Sequence, residues 1–404
     1  MRNRSRVLFA AIAVSLLGGC DTLMTKTPTA GNEFAAPMDG LDQSLNAVFL
    51  QGDENFEKPF TPAEGLGPIF NNVSCEGCHP GDGRGSVETG FFRFSAGGDL
   101  LVDSGGPQHQ DKVIPGIRLV PEGVPAGADR SFRLPPPVFG VGLIEAIEEQ
   151  TIVDLADPDD ADGDGISGRV NWVMAADFVS ERHVGGGPGP HVGRFSRKSQ
   201  VSSLLEQVSA AYQQDMGVTS DFIPEENFQS QHTATVSIGD IAPDPEISAN
   251  TVLETVMYVR LLQPPARGRI TAEVESGEVL FASLQCVACH VPTLRTGDHE
   301  MPTLANQEVA LYSDLLIHDM GEGLADNRPD GDADGYEWRT APLWGTRLVP
   351  DFLGGQEFYL HDGRATSLEE AVLLHGGEAQ AARDGFAALS STERDAVVAF
   401  LKSL

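Results

Sequence analysis

Apolar residues fall at helical spacing in two well-separated stretches of this chain. Between about 248 and 262, Val252, Val256 and Val259 share one face; between 393 and 404, Val397, Phe400, Leu401 and Leu404 stand at i, i+3, i+4 and i+7. Both stretches predict amphipathic helices. Ser390 and Glu393 are spaced as a capping box for the last helix, and Thr366 and Glu369 for the one before it. Two long stretches, about 80–130 and 146–195, are rich in Gly, Pro and Asp with no sustained period, which predicts ordered loops with a few short strands. At the N-terminus, Arg2, Arg4 and Arg6 precede an apolar run from Val7 to Leu17, too short to span a bilayer and shaped like an export signal.

The pattern repeats. Phe70 and Phe281 each precede a cysteine by five residues. Further on, Arg133-Leu-Pro-Pro-Pro-Val-Phe-Gly140 echoes Arg339-Thr-Ala-Pro-Leu-Trp-Gly345, and Ser203-Leu-Leu-Glu-Gln-Val208 echoes Ser367-Leu-Glu-Glu-Ala-Val372. Each half then ends in one of the amphipathic helices, and Pro264-Pro265 makes a natural boundary. The fold expected is mainly α: two tandem cytochrome c-like units, 40–265 and 266–404, with long loop insertions in the first. A signal peptide of residues 1–20 and a small, polar tether over 21–39 precede them.

The chemistry lies in two pentapeptides, Cys75-Glu-Gly-Cys78-His79 and Cys286-Val-Ala-Cys289-His290. In such a pentapeptide two thiols add across the vinyl groups of a haem and the adjoining histidine ligates the iron. Two covalently bound haem c groups are therefore expected. The alternative is a four-cysteine zinc site, since CxxC pairs also build zinc knuckles. The fifth cysteine, Cys20, closes Leu17-Gly18-Gly19-Cys20, which resembles the bacterial lipobox; acylation there would anchor the protein to a membrane in the periplasm. With four cysteines on haem and one on lipid, no thiol remains for dithiol chemistry. A formal charge of −32 disfavours nucleic acid and suits a small redox partner, a cytochrome or cupredoxin, through electrostatic steering.

Six segments carry a family resemblance: GLGPIFNNVSCEGCHPGDGRG (65–85), PPPVFGVGLIEAI (135–147), DGISGRVN (164–171), YSDLLIHDMGEGLAD (312–326), EWRTAPLWG (337–345) and YLHDGRATSLEEAVLLHGGEA (359–379). They resemble the bacterial di-haem oxidoreductases, sometimes labelled "thiol oxidoreductase", related to di-haem cytochrome c peroxidases. The resemblance implies a periplasmic, mostly helical two-haem protein of peroxidase-like architecture. In di-haem peroxidases an HxG histidine is followed, at the interval that here separates His361 from His375, by the methionine of the electron-transferring haem. His375 thus falls at a sixth-ligand position, opposite His290. His318, with Met320 behind it, is the rival; otherwise His318 and His361 fix loops around the propionates.

Aligning the repeated helices puts Ala211 where the other half has His375. Alanine does not bind iron, so the first haem is expected to have an open distal side unless Tyr212, His109, His183 or His191 fills it. An open site that reduces peroxide needs a proton-moving group. The resemblance puts Glu145 near the family's distal glutamine position and Glu206 at its distal glutamate position; each is otherwise a helix-surface ion pair. Trp338 and Trp344 either relay electrons or pack on a haem face. The loops Asp160-x-Asp162-x-Asp164 and Asp330-x-Asp332-x-Asp334 match half of a Ca2+ loop, but Asn171 and Ala341 stand where its glutamate belongs. The reading is a peroxidase-like enzyme passing electrons from the C-terminal bis-histidine haem to an open N-terminal haem. The alternatives are a di-haem enzyme oxidising a partner protein and an electron carrier with no substrate of its own.

Overall fold

The computed structural model describes residues 35–105, 108–116, 121–180, 189–227 and 238–404; Cys20 and His183 lie outside them. Its framework is one helix crossing built twice. The opening helix Gln43–Glu57, capped by the Asp42 carboxylate, lies against the closing helix Ala249–Leu261. Ala272–Ser283 lies in the same way against Ser391–Leu401. A glycine sits at each crossing because the backbones touch there: a Cβ on Gly52 would overlap the Glu254 carbonyl, and one on Gly277 the Ala396 carbonyl.

Four residues on, each opening helix presents a phenylalanine. Phe56 packs 5.3 Å from Tyr258 and 6.1 Å from His79, centroid to centroid. Phe281 packs 5.1 Å from Phe400 and 6.0 Å from His290. The structural counterpart of Phe281 is therefore Phe56 and not Phe70, which lies in a short ribbon, Ile69–Phe70 on Lys112–Val113. The equal five-residue interval misleads because residues 58–74 separate the first opening helix from Cys75, whereas only Leu284 and Gln285 precede Cys286.

The other two echoes are structural. Gly140 N donates to Leu262 O (3.0 Å) and Gly345 N to Leu404 O (3.1 Å), so each PxxG-type corner is tied to the end of its own closing helix. The corners also meet: Gly140 (φ +71) makes room for Trp344, and Gly345 (φ +74) for Phe139. Ser203 caps the helix Leu204–Met216 by accepting from Glu206 N, and Ser367 caps Leu368–Leu374 by accepting from Glu370 N. That second cap lies one residue beyond the expected Thr366/Glu369 box; Glu370 reaches back to Thr366 N and Oγ1 instead. The Ser390/Glu393 box forms as expected.

Two findings alter the expected layout. The fold is mixed rather than mainly α, because the insertions pair into antiparallel ribbons, Phe91–Ser95 with Asp129–Arg133 and Trp172–Met174 with Pro190–Val192 among them. The cores also do not divide at 265. Leu294, Leu304, Leu311, Leu315, Leu316 and Trp344 join the core of the first half, while the second core is built from Val274, Phe281, Tyr312 and residues from Val349 onward. The end of the expected tether is pinned: Met38 N donates to Leu261 O and Gln263 N to Ala36 O. Among the described residues no helix is long and apolar enough to cross a membrane.

Candidate functional site

Both pentapeptides open into one cavity of about 540 Å³ lined from both halves. Each is a single helical turn that turns its histidine inward. Ser74 caps the turn Cys75–Cys78 by accepting from Gly77 N, and His79 N closes it on Cys75 O at 2.9 Å. His290 N closes on Cys286 O at the same distance.

Three histidines on the cavity wall share one arrangement. His290 Nδ1 lies 2.9 Å from Tyr312 O, His375 Nδ1 2.7 Å from Ala371 O and His79 Nδ1 3.4 Å from Gly83 O. A carbonyl only accepts, so Nδ1 carries the proton and Nε2 keeps its lone pair. Burial holds all three below the ordinary imidazole range, His79 and His290 at about 4. The thiols shift the other way: burial pushes Cys78 up to about 12 and Cys286 up to about 11, with Cys75 and Cys289 raised too. The buried Asp215 carboxylate, which accepts from Gln108, adds to the rise at Cys75 and Cys78 and is itself pushed up to about 6.

The two capped helices flank the cavity with different side chains. Leu368–Leu374 ends on the wall with Val372 and, as its C-cap, His375. Leu204–Met216 presents Val208 and Ala211 at the matching places, and two residues before Val208 it presents Glu206. Burial raises the Glu206 carboxyl, and its Oε2 has no partner. The cavity also has a cationic wall. Arg84, Arg93, Arg133, Arg194 and Arg339 all line the cavity, and each keeps one buried guanidinium nitrogen without a hydrogen-bond partner. The His361 ring, stacked on Trp338 with centroids 4.8 Å apart, lies among four arginines with its Nδ1 also unpartnered.

A family model described as "Di-haem oxidoreductase, putative peroxidase" matches residues 12–93 and 118–404. The chain belongs to that family. A search of curated proteins matches none. Among solved structures, hydrazine synthase of Kuenenia stuttgartiensis, pressurised with xenon, is 14% identical, with 100% of each chain covered and a TM-score of 0.39. A MauG-like protein associated with microbial copper homeostasis is 13% identical over 66% of this chain and 89% of that one, with a TM-score of 0.31.

The residues of this di-haem oxidoreductase fit the group its family implies. Phe56, Val138, Phe281 and Leu343 supply apolar wall, His79, His290 and His375 all line it, and the orphaned guanidinium hydrogens suit carboxylates such as haem propionates. A four-cysteine zinc centre does not fit. Among the described residues the only cysteine within ligand distance of a metal-type cluster is Cys289, beside Asp314 and His318.

The remaining candidates separate clearly. His318 is no iron ligand, since both ring nitrogens are taken, Nδ1 by Glu378 (2.7 Å) and Nε2 by Asp314 (2.8 Å). Glu145 does not line the cavity: its carboxylate binds Arg260 Nε at 2.7 Å and Leu204 N at 2.8 Å, which commits it to structure, so of the two expected glutamates Glu206 is the one on the cavity wall. Tyr212 is buried in the core on Thr255, His109 bonds Glu122 O and His191 pairs with Glu149; none of them lines the cavity. Trp338 and Trp344 both do.

Of the two acidic loops, Asp160, Asp162 and Asp164 converge near the surface, while Asp330 is taken by arginines. With Arg93, Arg133 and Arg328 around it, Asp330 is held down at about 2, a structural anion and no Ca2+ ligand. The arginine wall was not foreseen, although one signal existed: the two echoing segments that end in Gly140 and Gly345 each begin with an arginine, Arg133 and Arg339.

Proposed function

We propose that this di-haem oxidoreductase is a periplasmic, peroxidase-like enzyme that passes electrons from a His290/His375 haem to a His79 haem with an open distal side, where peroxide is reduced. Haem iron would supply the electron relay and the binding point for the oxidant. Cys75 and Cys78 would tether one group, Cys286 and Cys289 the other, through thioethers. One observation carries the reading: at matching positions of two repeated helices on one cavity, one half presents His375 and the other Ala211. Glu206, five residues before Ala211 on the same helix, would take the proton from peroxide and return it to the departing oxygen; its raised pKa suits that exchange. The arginine wall would hold the propionates and keep water from competing for them. Export, acylation at Cys20 and a small basic redox partner, a cytochrome or cupredoxin, complete the proposal, on the strength of the leader, the lipobox and the charge of −32.

The test is a spectrum with a turnover assay beside it. The reading expects one low-spin bis-histidine signal and one signal that changes on adding cyanide, with steady peroxide consumption when a reduced small cytochrome is supplied. Two low-spin signals indifferent to cyanide would sink it.

A further inference from the structure

Three of the resembling segments, DGISG, HDMG and the HGGE that begins with His375, meet at one buried side chain. His318 is 3% exposed. Its Nδ1 donates to Glu378 Oε2 and its Nε2 to Asp314 Oδ2. The other Glu378 oxygen accepts from Ser167 Oγ at 2.7 Å and from Asp319 N at 3.4 Å. Glu378 thus ties the strand Ile317–Asp319, and a loop of the first half, to the segment just after His375.

That segment needs outside support. The helix Leu368–Leu374 stops at His375, whose backbone (φ −58, ψ 140) already leaves the helix, and two glycines follow. Glycine is the least constrained residue in an unsupported chain. Here Gly377 (φ +53) lies backbone to backbone on Asp319 and Gly321, and Gly321 (φ +75) on Gly377; a Cβ on either would overlap the other strand. Gly168 makes room for the His318 ring itself, since a Cβ there would come within 2.5 Å of its Cε1. The glycines permit the contact, and the His318–Glu378 pair fastens it.

We propose that His318 and Glu378 are positioning residues, which hold the His375 imidazole toward the cavity by locking the Gly376-Gly377 corner against residues 318–321. The inference rests on the reading of His375 as a sixth iron ligand. It adds that the ligand is clamped from outside its own helix, in part by the other half of the chain through Ser167. Partners of this kind orient a ligand and set how firmly it binds.

The experiment uses the holoprotein with both haems attached, checked by haem content. Glu378→Ala is expected to raise the high-spin to low-spin ratio of the second haem about tenfold, and added imidazole to restore the low-spin signal. Glu378→Gln, which keeps an acceptor for His318, is expected to stay near the parent. A Glu378→Ala protein with the parent spectrum overturns the clamp. If that variant does not accumulate, His318→Gln carries the same expectation with a smaller loss, and a parent spectrum there overturns it equally. His375→Ala is the control that separates the two ideas: an unchanged spectrum in that variant sinks the ligand reading, whereas a changed one beside an unaltered Glu378→Ala sinks the clamp alone.

Discussion

The helices Leu204–Met216 and Leu368–Leu374 begin alike and end differently. Each is capped by a serine that accepts from the third backbone amide after it, each buries a leucine next, and each lays a valine on the cavity wall. The first then runs on past Ala211 to a glycine C-cap at Gly217, and the second stops at His375. The Ala211/His375 difference and the earlier stop give one wall an imidazole and leave the other without one. The lesson is that a duplicated frame keeps its capping and packing residues, while function diverges at the positions that face the ligand and nothing else.

The largest effect is expected where the halves are joined. Asp330, from the second half, is 4% exposed and holds Arg93 and Arg133 of the first. Asp330→Ala leaves Arg93 buried without its ion-pair partner and Arg133 with Asp326 alone, at a cost of about 3–5 kcal/mol, read as a fall in the denaturation midpoint. The pH dependence has a definite sign. The folded carboxyl lies at about 2, below its ordinary 3.8. Its stabilisation is therefore complete above 3.8 and lost as pH falls through 2. If the variant melts like the parent at neutral pH, the halves are held together by packing and not by this cluster.

Exchanging the divergent residues tests the comparison itself. Ala211→His is expected to place an imidazole on the open side, which must leave before an oxidant binds. Peroxide turnover should then fall about 10³-fold, equivalent to about 4 kcal/mol. His375→Ala should do the reverse to the other haem, giving it a cyanide-sensitive spectrum. An Ala211→His protein that retains full turnover would place the reacting iron elsewhere.

Glu206→Gln removes the proton carrier and keeps the shape. Turnover should drop about 10²-fold at neutral pH. Because the group must be ionised to accept a proton and burial raises its pKa above 4.5, parent activity should decline as pH falls through that raised value, and the variant should lack this limb. Stability moves oppositely. A raised carboxyl favours the fold when protonated, so stability is lost as pH rises through the folded pKa, and Glu206→Gln should be the more stable protein at alkaline pH. Glu145→Gln should instead mainly cost stability, since it weakens the pair with Arg260.

What could be read in advance follows from the range of the interaction. Cys75, Cys78 and His79 are near neighbours in sequence, so one turn of chain sets their geometry, and the pentapeptide suffices. His375 was legible because its interval from His361 matches a known pattern and because its helix repeats. That Glu145 is held in an ion pair could not be read in advance, since its partner Arg260 lies 115 residues further on. The double engagement of His318 was hidden for the same reason, with Glu378 lying 60 residues away. Phe70 shows the converse: an equal interval along the chain has no meaning when one copy carries a loop of seventeen residues, 58–74, that the other lacks.

The smallest effect discriminates most finely between the two helices. Ser203→Ala and Ser367→Ala each remove one hydrogen bond to the third amide of the helix, worth about 1 kcal/mol. The losses in stability should be similar, but their consequences should not. The helix after Ser203 has 13 residues and crosses the long closing helix Ala249–Leu261, so its far end keeps its support. The helix after Ser367 has seven, and its last carbonyl-bonded residue is the proposed ligand, fixed through Ala371 O. A first turn that frays there is within one turn of the imidazole. Ser367→Ala should therefore weaken the low-spin signal of the second haem on warming before any global unfolding, and Ser203→Ala should leave both haem spectra as they are up to its melting point. Equal spectral behaviour in the two variants would mean that the outer clamp at Glu378, and not the helix, sets the position of His375.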